Sequence, residues 1–419
     1  MKYATLPIIL KNMKILLIGG GKVALQKAEV MQRNEVDFSC ISSAYISEFE
    51  TINASKTIKD FSLDDINSYF IIVDATGSKE VMQKLLDHKH KTNFLYNCVD
   101  VPEVCDFFFA ALIEYGSVKI AVSSSGASPS LAKALRDKIK RDLPKNLDIL
   151  NEHLQVQRDK GMINIEEAKK ETNKMLGKVY LVGCGTGDVD LLTIKAYKII
   201  QSVDVVFLDH LIAQEIIDII PKKTEQIFVG KQKGFHSIKQ EEINAQLQEF
   251  ASRGLTVARL KSGDPYVFGR GSEEALSMVE AGISVEVIPG ISSAIAGPLL
   301  AGIAPTARGY ATNMSIVSAH LAGNRVNLEW IPMLNYKNHT VVVLMGISRA
   351  REIKKCASNI GVDMSKDVAV ISNASRSNQS VVTGTLEELD TLCKEAQRPA
   401  LIVIGDVVQL HNKLPKFGD

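Results

Sequence analysis

The chain has 419 residues, 46% hydrophobic and 23% charged, a composition that fits two or three packed domains and excludes large-scale disorder. Forty-nine basic residues against 48 acidic ones leave a formal charge of +1, so no global field draws nucleic acid or an acidic membrane, and an anionic ligand must be met locally. The six cysteines form no C-x-x-C pair, which points to reduced thiols and a cytoplasmic setting rather than disulfides or a zinc site; residues 1–10 lack the apolar core of a signal peptide.

The chain opens with Lys14-Ile-Leu-Leu-Ile-Gly-Gly-Gly-Lys-Val-Ala24, an apolar strand running into glycines and then a helix. Gly19, Gly21 and Ala24 stand at G-x-G-x-x-A spacing. That spacing allows a tight turn, close approach of a pyrophosphate to the backbone, and helix packing on the strand, with Lys22 and Val23 in the first helical turn facing the phosphates. The next strand, residues 36–41, ends in Ser42-Ser43-Ala44 with no acidic residue for the ribose. Ser43 and Ala44 are therefore expected to contribute hydroxyl and backbone groups there, and NAD and NADP are not separated by this spacing. Further strands at 69–73, 93–98 and 118–122 alternate with helical or loop segments and imply a mainly parallel sheet. Asp100 lies just past the strand at 93–98, on the side where open α/β sheets bind ligands; a loop cap and a catalytic acid are both open readings. In the serine-rich turn at 123–130, Ser128 and Pro129 suit an N-cap and first helical position.

Gly19–Ala28, Asn97-Cys-Val-Asp100 and Ala121-Val-Ser-Ser-Ser-Gly-Ala-Ser-Pro129 together resemble the precorrin-2 dehydrogenase and ferrochelatase module of the siroheme synthases. The resemblance implies NAD-dependent oxidation of precorrin-2 followed by insertion of Fe2+, with Asp100 as the essential carboxylate for both and Ser124 in the substrate cleft. An ionised carboxylate suits that task, since it accepts protons and holds a hard cation transiently. No His/Cys cluster suggests a permanent metal, so Fe2+ is expected as a substrate.

We take residues 1–113 as the NAD-binding unit and 114–176 as a helical linker and dimerisation segment. In the latter, Leu147, Leu150, Leu154 and Ile163 recur at helix-like intervals. Residues 177–419 form a second α/β unit. It opens on Leu181-Val-Gly-Cys-Gly-Thr-Gly-Asp-Val-Asp-Leu-Leu-Thr193, whose glycine spacing does not fit a dinucleotide loop. Strands are expected at 203–208, 227–231, 257–261, 283–289, 340–345 and 400–405. The uncharged run 287–307 is long enough to span a bilayer, but its glycines and prolines make it two turns around a small-residue helix.

That opening loop, together with Arg259-Leu-Lys-Ser-Gly-Asp-Pro-Tyr-Val-Phe-Gly-Arg-Gly271 and Val287-Ile-Pro-Gly-Ile-Ser-Ser293, resembles the tetrapyrrole methyltransferases, and within them uroporphyrinogen-III C-methyltransferase. The resemblance implies two α/β lobes with S-adenosylmethionine in the crevice between them. Thr186, Ser262, Gly263, Asp264, Val267, Ser292, Ser293, Met345 and Ala374 would line it, Asp209 would accept a proton and Lys231 would donate one. Thr186 stands where the family has proline, and Ser262 and Ala374 where it has glycine. Arg259, Lys261, Arg270 and Arg308 are candidate contacts for an anionic tetrapyrrole. The expected protein is a cytoplasmic homodimer that binds neither nucleic acid nor membrane. Two alternatives stand beside it: a dehydrogenase and chelatase with a weak or inactive methylase, and a nucleotide-sensing regulator.

Overall fold

In the computed structural model, described for residues 13–124, 127–144, 146–229, 239–321 and 325–418, the chain forms two units, Met1–Gln155 and Val156–Asp419. The first is built on a five-stranded sheet. Its strands are Ile15–Ile18 (β1), Phe38–Ser42 (β2), Ser55–Ile58 (β3), Ile71–Asp74 (β4) and Leu95–Cys98 (β5), all parallel in the order β3-β2-β1-β4-β5. β1 and β4 are buried along their whole length, as central parallel strands covered on both faces must be. Lys22–Arg33 (α1) packs Ala24, Ala28 and Met31 on one face, and Lys79–Lys89 (α2) packs Leu85 on the other. The winding direction reverses at β1, so the carboxyl ends of β1 and β4 flank a switch-point crevice.

The strand expected at 118–122 forms, but outside this sheet. Val118–Val122 (β7) pairs antiparallel with Ala111–Tyr115 (β6). The two-residue link Gly116-Ser117, with Gly116 at φ +55°, makes a hairpin and is far too short for the crossover a parallel neighbour requires. Pro129–Asp142 (α3) packs on that hairpin. Leu147–Asp159 (α4) carries the division between the units and Ile165–Leu176 (α5) follows; Ile163 lies in the link between them rather than on a helix.

The second unit has two lobes. In the first, Lys178–Gly183 (β8), Val205–Leu208 (β9), Glu225–Phe228 (β10), Thr256–Lys261 (β11) and Ser284–Ile288 (β12) form a parallel sheet in the order β10-β9-β11-β8-β12. Ile194–Ile200 (α6) and Gln214–Asp218 (α7) cover one face, Gln240–Ser252 (α8) and Gly271–Glu280 (α9) the other. Ser293–Leu300 (α10) then leads to the second lobe. There Asn313–Ser318 (β13) is followed by a small hairpin, His320–Leu321 (β14) with Arg325–Val326 (β15). His339–Leu344 (β16), Ala350–Asn359 (α11), Asp367–Ser372 (β17), Ser380–Thr385 (β18), Leu389–Lys394 (α12) and Ala400–Ile404 (β19) complete it. The sheet order is β13-β16-β19-β17-β18, antiparallel except for β13 with β16. Among the described residues no helix is long and apolar enough to cross a membrane. The uncharged run holds the last two residues of β12 and the short α10, whose Gly297 lies so close to Leu401 that a Cβ there would meet its Cδ2 at 2.5 Å.

Candidate active sites

In the first unit the turn after β1 is shaped by three glycines with different constraints. Gly19 has φ +126°, and its N–H donates to Ile41 O at 2.9 Å; an added Cβ would lie 2.8 Å from Ala75 O, beyond β4. At Gly20, which the spacing rule passes over, a Cβ would fall 2.0 Å from Ala44 O. At Gly21 it would meet nothing within 4 Å. The loop is thus wedged between its neighbours at two positions and open at the third, where α1 begins without a side-chain cap. The first-turn N–H groups are left for an anion, and the open backbone fits the pyrophosphate of a dinucleotide. Lys22 and Val23 are exposed in that turn, and Ser43 and Ala44 are exposed after β2, where the Ser42 hydroxyl donates to Ala44 O at 2.7 Å.

Asp74, absent from the sequence reading, braces the other side of this crevice. Buried at the end of β4, it accepts from Thr76 N at 3.0 Å, Thr76 Oγ1 at 2.7 Å and the Tyr96 hydroxyl at 2.8 Å. These bonds hold the Ala75 turn on which Gly19 packs. Asp100 is exposed in the turn after β5, at φ 68°. Lys27 of α1 is near it, half-buried, with its ammonium 4.6 Å from the centre of the Phe109 ring. Burial lowers the Lys27 pKa, and the charge of Asp100 opposes that shift. Sequence reasoning missed Lys27 too, although a lysine between Ala24 and Ala28 on the inward face of α1 was a signal. The Ser124 hydroxyl, half-buried, accepts from Ser128 N at 3.0 Å and donates to Ser128 O at 2.8 Å, while Ser128 caps α3 through Leu131 N.

In the second unit, the carboxyl ends of β8, β11 and β12 meet through glycine. A Cβ on Gly183 would lie 2.4 Å from Gly290 N, and one on Gly290 would lie 2.3 Å from Gly263 O. Gly185 and Gly263 exchange backbone hydrogen bonds of 3.2 and 2.7 Å. Asp264 fastens these loops, accepting from Tyr266 N at 2.8 Å and Gly290 N at 3.1 Å. Ser262 and Val267 are half-buried beside it; Ser292 caps α10 through Ala294 N at 3.3 Å, and Ser293 is half-buried at the first helical position. From the other lobe come Met345, at φ 57° and 46% exposed, and Ala374, buried after β17.

The lobes are tied at Thr186. The Ser375 hydroxyl donates to Thr186 Oγ1 at 2.7 Å and accepts from Asp188 N at 3.3 Å, and Arg376 donates to Leu211 O at 2.7 Å. Thr186 and Ser375 are both buried, so Thr186→Val removes the acceptor of a buried hydroxyl. We expect it to cost about 1–3 kcal/mol in the unfolding of this unit, measured by denaturant titration; an unchanged midpoint would show that the pair does not hold the lobes.

Asp209, a quarter exposed after β9, accepts from the Arg259 guanidinium at 3.1 Å and from Leu211 N at 3.2 Å. Arg259 and Lys261 are not free contacts for a substrate. Both alternate onto the face of β11 beneath α8 and α9, where they are buried and paired with carboxylates. Arg270 is exposed and bound through two nitrogens to Glu273 at 2.9 and 2.7 Å; Arg308 is exposed; Lys231 lies outside the described residues.

Comparison with known proteins places both sites in a family. Residues 178–390 match the Tetrapyrrole (Corrin/Porphyrin) Methylases, residues 6–111 a family described as Putative NAD(P)-binding, and residues 116–142 the Sirohaem biosynthesis protein central family. The second unit resembles the native uroporphyrin III C-methyl transferase of Thermus thermophilus and its complex with S-adenyl homocysteine. Each is 38% identical, covers 56% of this chain and 100% of its own, and superposes with a TM-score of 0.50. Over the whole chain, Siroheme synthase 1 of Klebsiella pneumoniae is 34% identical, with 96% of its length covered, and the Siroheme synthase of Blochmanniella pennsylvanica is 33% identical, with 97% covered. With both units and the segment between them matched end to end, this chain belongs to the siroheme synthase family.

Proposed function

We propose that the protein makes siroheme from uroporphyrinogen III: the second unit methylates the macrocycle twice, and the first oxidises the product and inserts Fe2+. The observation that carries this is the pairing in one chain of a dinucleotide loop open at Gly21, with Asp100 in the same unit, and a glycine crevice beside the anchored carboxylate of Asp209. The product of the second site is the substrate of the first.

S-adenosylmethionine, when bound, supplies an electrophilic methyl group, and NAD a hydride acceptor. Thr186, Ser262, Gly263, Asp264, Val267, Ser292, Ser293, Met345 and Ala374 would hold the former; Gly19, Gly21, Lys22, Val23, Ser43 and Ala44 the latter. Methylating a pyrrole carbon requires loss of the proton it then carries, and Asp209 is the base assigned here, with Lys231 as proton donor. In the first unit Asp100 accepts the protons released on desaturation and metallation, Ser124 lines the cleft, and Fe2+ passes through as substrate. Arg270 and Arg308 are the exposed cations assigned to the carboxylates of the tetrapyrrole. All six cysteines are free, in keeping with a cytoplasmic setting. α4 buries no residue fully, and Ile149 and Val156, seven apart on one of its faces, are exposed, which suits a homodimer contact.

The test is anaerobic incubation with uroporphyrinogen III and methyl-labelled S-adenosylmethionine, then NAD, then Fe2+, followed by absorbance. Labelled macrocycle, NADH and siroheme should form in turn, and sedimentation of the same preparation should give twice the chain mass. Absence of label in the macrocycle would leave a dehydrogenase and chelatase with an inactive methylase. Absence of NADH from supplied precorrin-2 would favour a nucleotide sensor.

A further inference from the structure

The methylase unit contains one group of charges whose arrangement the proposed roles do not use. Glu274 of α9 has no exposed surface, yet it accepts three hydrogen bonds: from Lys261 Nζ at 2.8 Å, Arg259 Nε at 3.3 Å and Gln240 Nε2 at 3.0 Å. Arg259 spends another nitrogen on Leu260 O at 3.1 Å and reaches Asp209 with the remaining one, also at 3.1 Å. Two cations and two carboxylates balance. The Arg259, Lys261 and Glu274 side chains are at most 6% exposed, and only that of Asp209, at 27%, opens to solvent.

A buried network of this kind is a poor way to gain stability, because desolvating four charges costs about as much as their attraction returns. What it does secure is direction. The guanidinium is planar and rigid, so pinning Nε on an immobile carboxylate fixes where its far nitrogen points. That nitrogen holds one oxygen of Asp209 while Leu211 N, at 3.2 Å, holds the other. We infer that Glu274 is a positioning residue for proton removal at Asp209, acting through Arg259; this rests on the reading of Asp209 as the base.

The experiment measures methyl transfer to uroporphyrinogen III, with kcat and KM for S-adenosylmethionine, for the full chain, Glu274→Gln, and the charge-balanced Lys261→Met/Glu274→Gln pair. Wild-type activity comes first: its absence would fail the reading of the unit, not this inference. For folded Glu274→Gln we expect kcat to fall about tenfold or more while KM for S-adenosylmethionine changes less than about twofold. In the double variant, where the buried charge is balanced again, kcat should stay low, because Arg259 still lacks its anchor. NADH formation from supplied precorrin-2 should be unaffected in both. Wild-type kcat in either folded variant would overturn the inference, as would a KM for S-adenosylmethionine raised as far as kcat is lowered. If the single variant does not fold, the double one decides on kcat alone.

Discussion

Asp100→Asn is expected to stop NADH formation from precorrin-2 and iron insertion together, while methyl transfer by the second unit continues at the wild-type rate. Asparagine is the informative replacement. Asp100 sits at φ 68°, a left-handed conformation that asparagine adopts about as readily as aspartate, whereas alanine would add backbone strain to the loss of charge. The side chain is exposed, so unfolding of the unit should change by no more than about 0.5 kcal/mol. Removal of the carboxylate should nevertheless cost about a hundredfold or more in both reactions, the usual weight of a positioned acid or base. The sign of one secondary effect also follows. Burial lowers the Lys27 pKa and the charge of Asp100 is the first of those that oppose this, so in the variant Lys27 should titrate lower still. Rapid NADH formation by a folded Asp100→Asn enzyme would remove this residue from the site.

How far the fold was legible depended on which physical signal each element carried. The β1–glycine–α1 unit was plain because strand, turn and helix each leave a pattern in adjacent residues. The edge strand β3 was missed: Ser-Lys-Thr-Ile is exposed throughout and has no apolar alternation to detect. β6 was missed because it borders a two-residue turn, and β7, though located, was given the wrong neighbours.

The sites divide along a similar line. The loops themselves could be found, since glycine and serine mark turns locally. Partners could not. Arg259 read as a cation available to substrate, when its place on β11 buries it against Glu274, fifteen residues on, and Asp209, fifty residues back. Asp74 gave no sign that it would hold the Thr76 turn and the Tyr96 hydroxyl, because that bond spans 22 residues. Spacing reports which face a residue occupies. It is silent about which charge waits there.

The glycine loop offers the sharpest separation of folding from binding. Gly20→Ala and Gly21→Ala are neighbouring, chemically identical changes with opposite expected outcomes. At Gly20 the new methyl would sit 2.0 Å from Ala44 O, 2.8 Å from Ser42 Oγ and 3.0 Å from Ala44 C, and the loop cannot yield freely because Ile46 N is bonded to Gly20 O at 3.0 Å. Overpacking of that kind should destabilise the unit by about 1–3 kcal/mol or more, seen as an earlier denaturant midpoint. At Gly21 the backbone has φ −86°, ordinary for alanine, and the methyl meets nothing within 4 Å, so the midpoint should stay close to wild type. The same open space is where a pyrophosphate would approach α1, and filling it should raise the Kd for NAD by about tenfold or more, equivalent to about 1.4 kcal/mol. Equilibrium titration with NAD separates the cases. A Gly21→Ala protein that binds NAD as tightly as wild type would mean that the dinucleotide does not lie over this turn, and the site would have to be sought elsewhere along the carboxyl edge of the sheet.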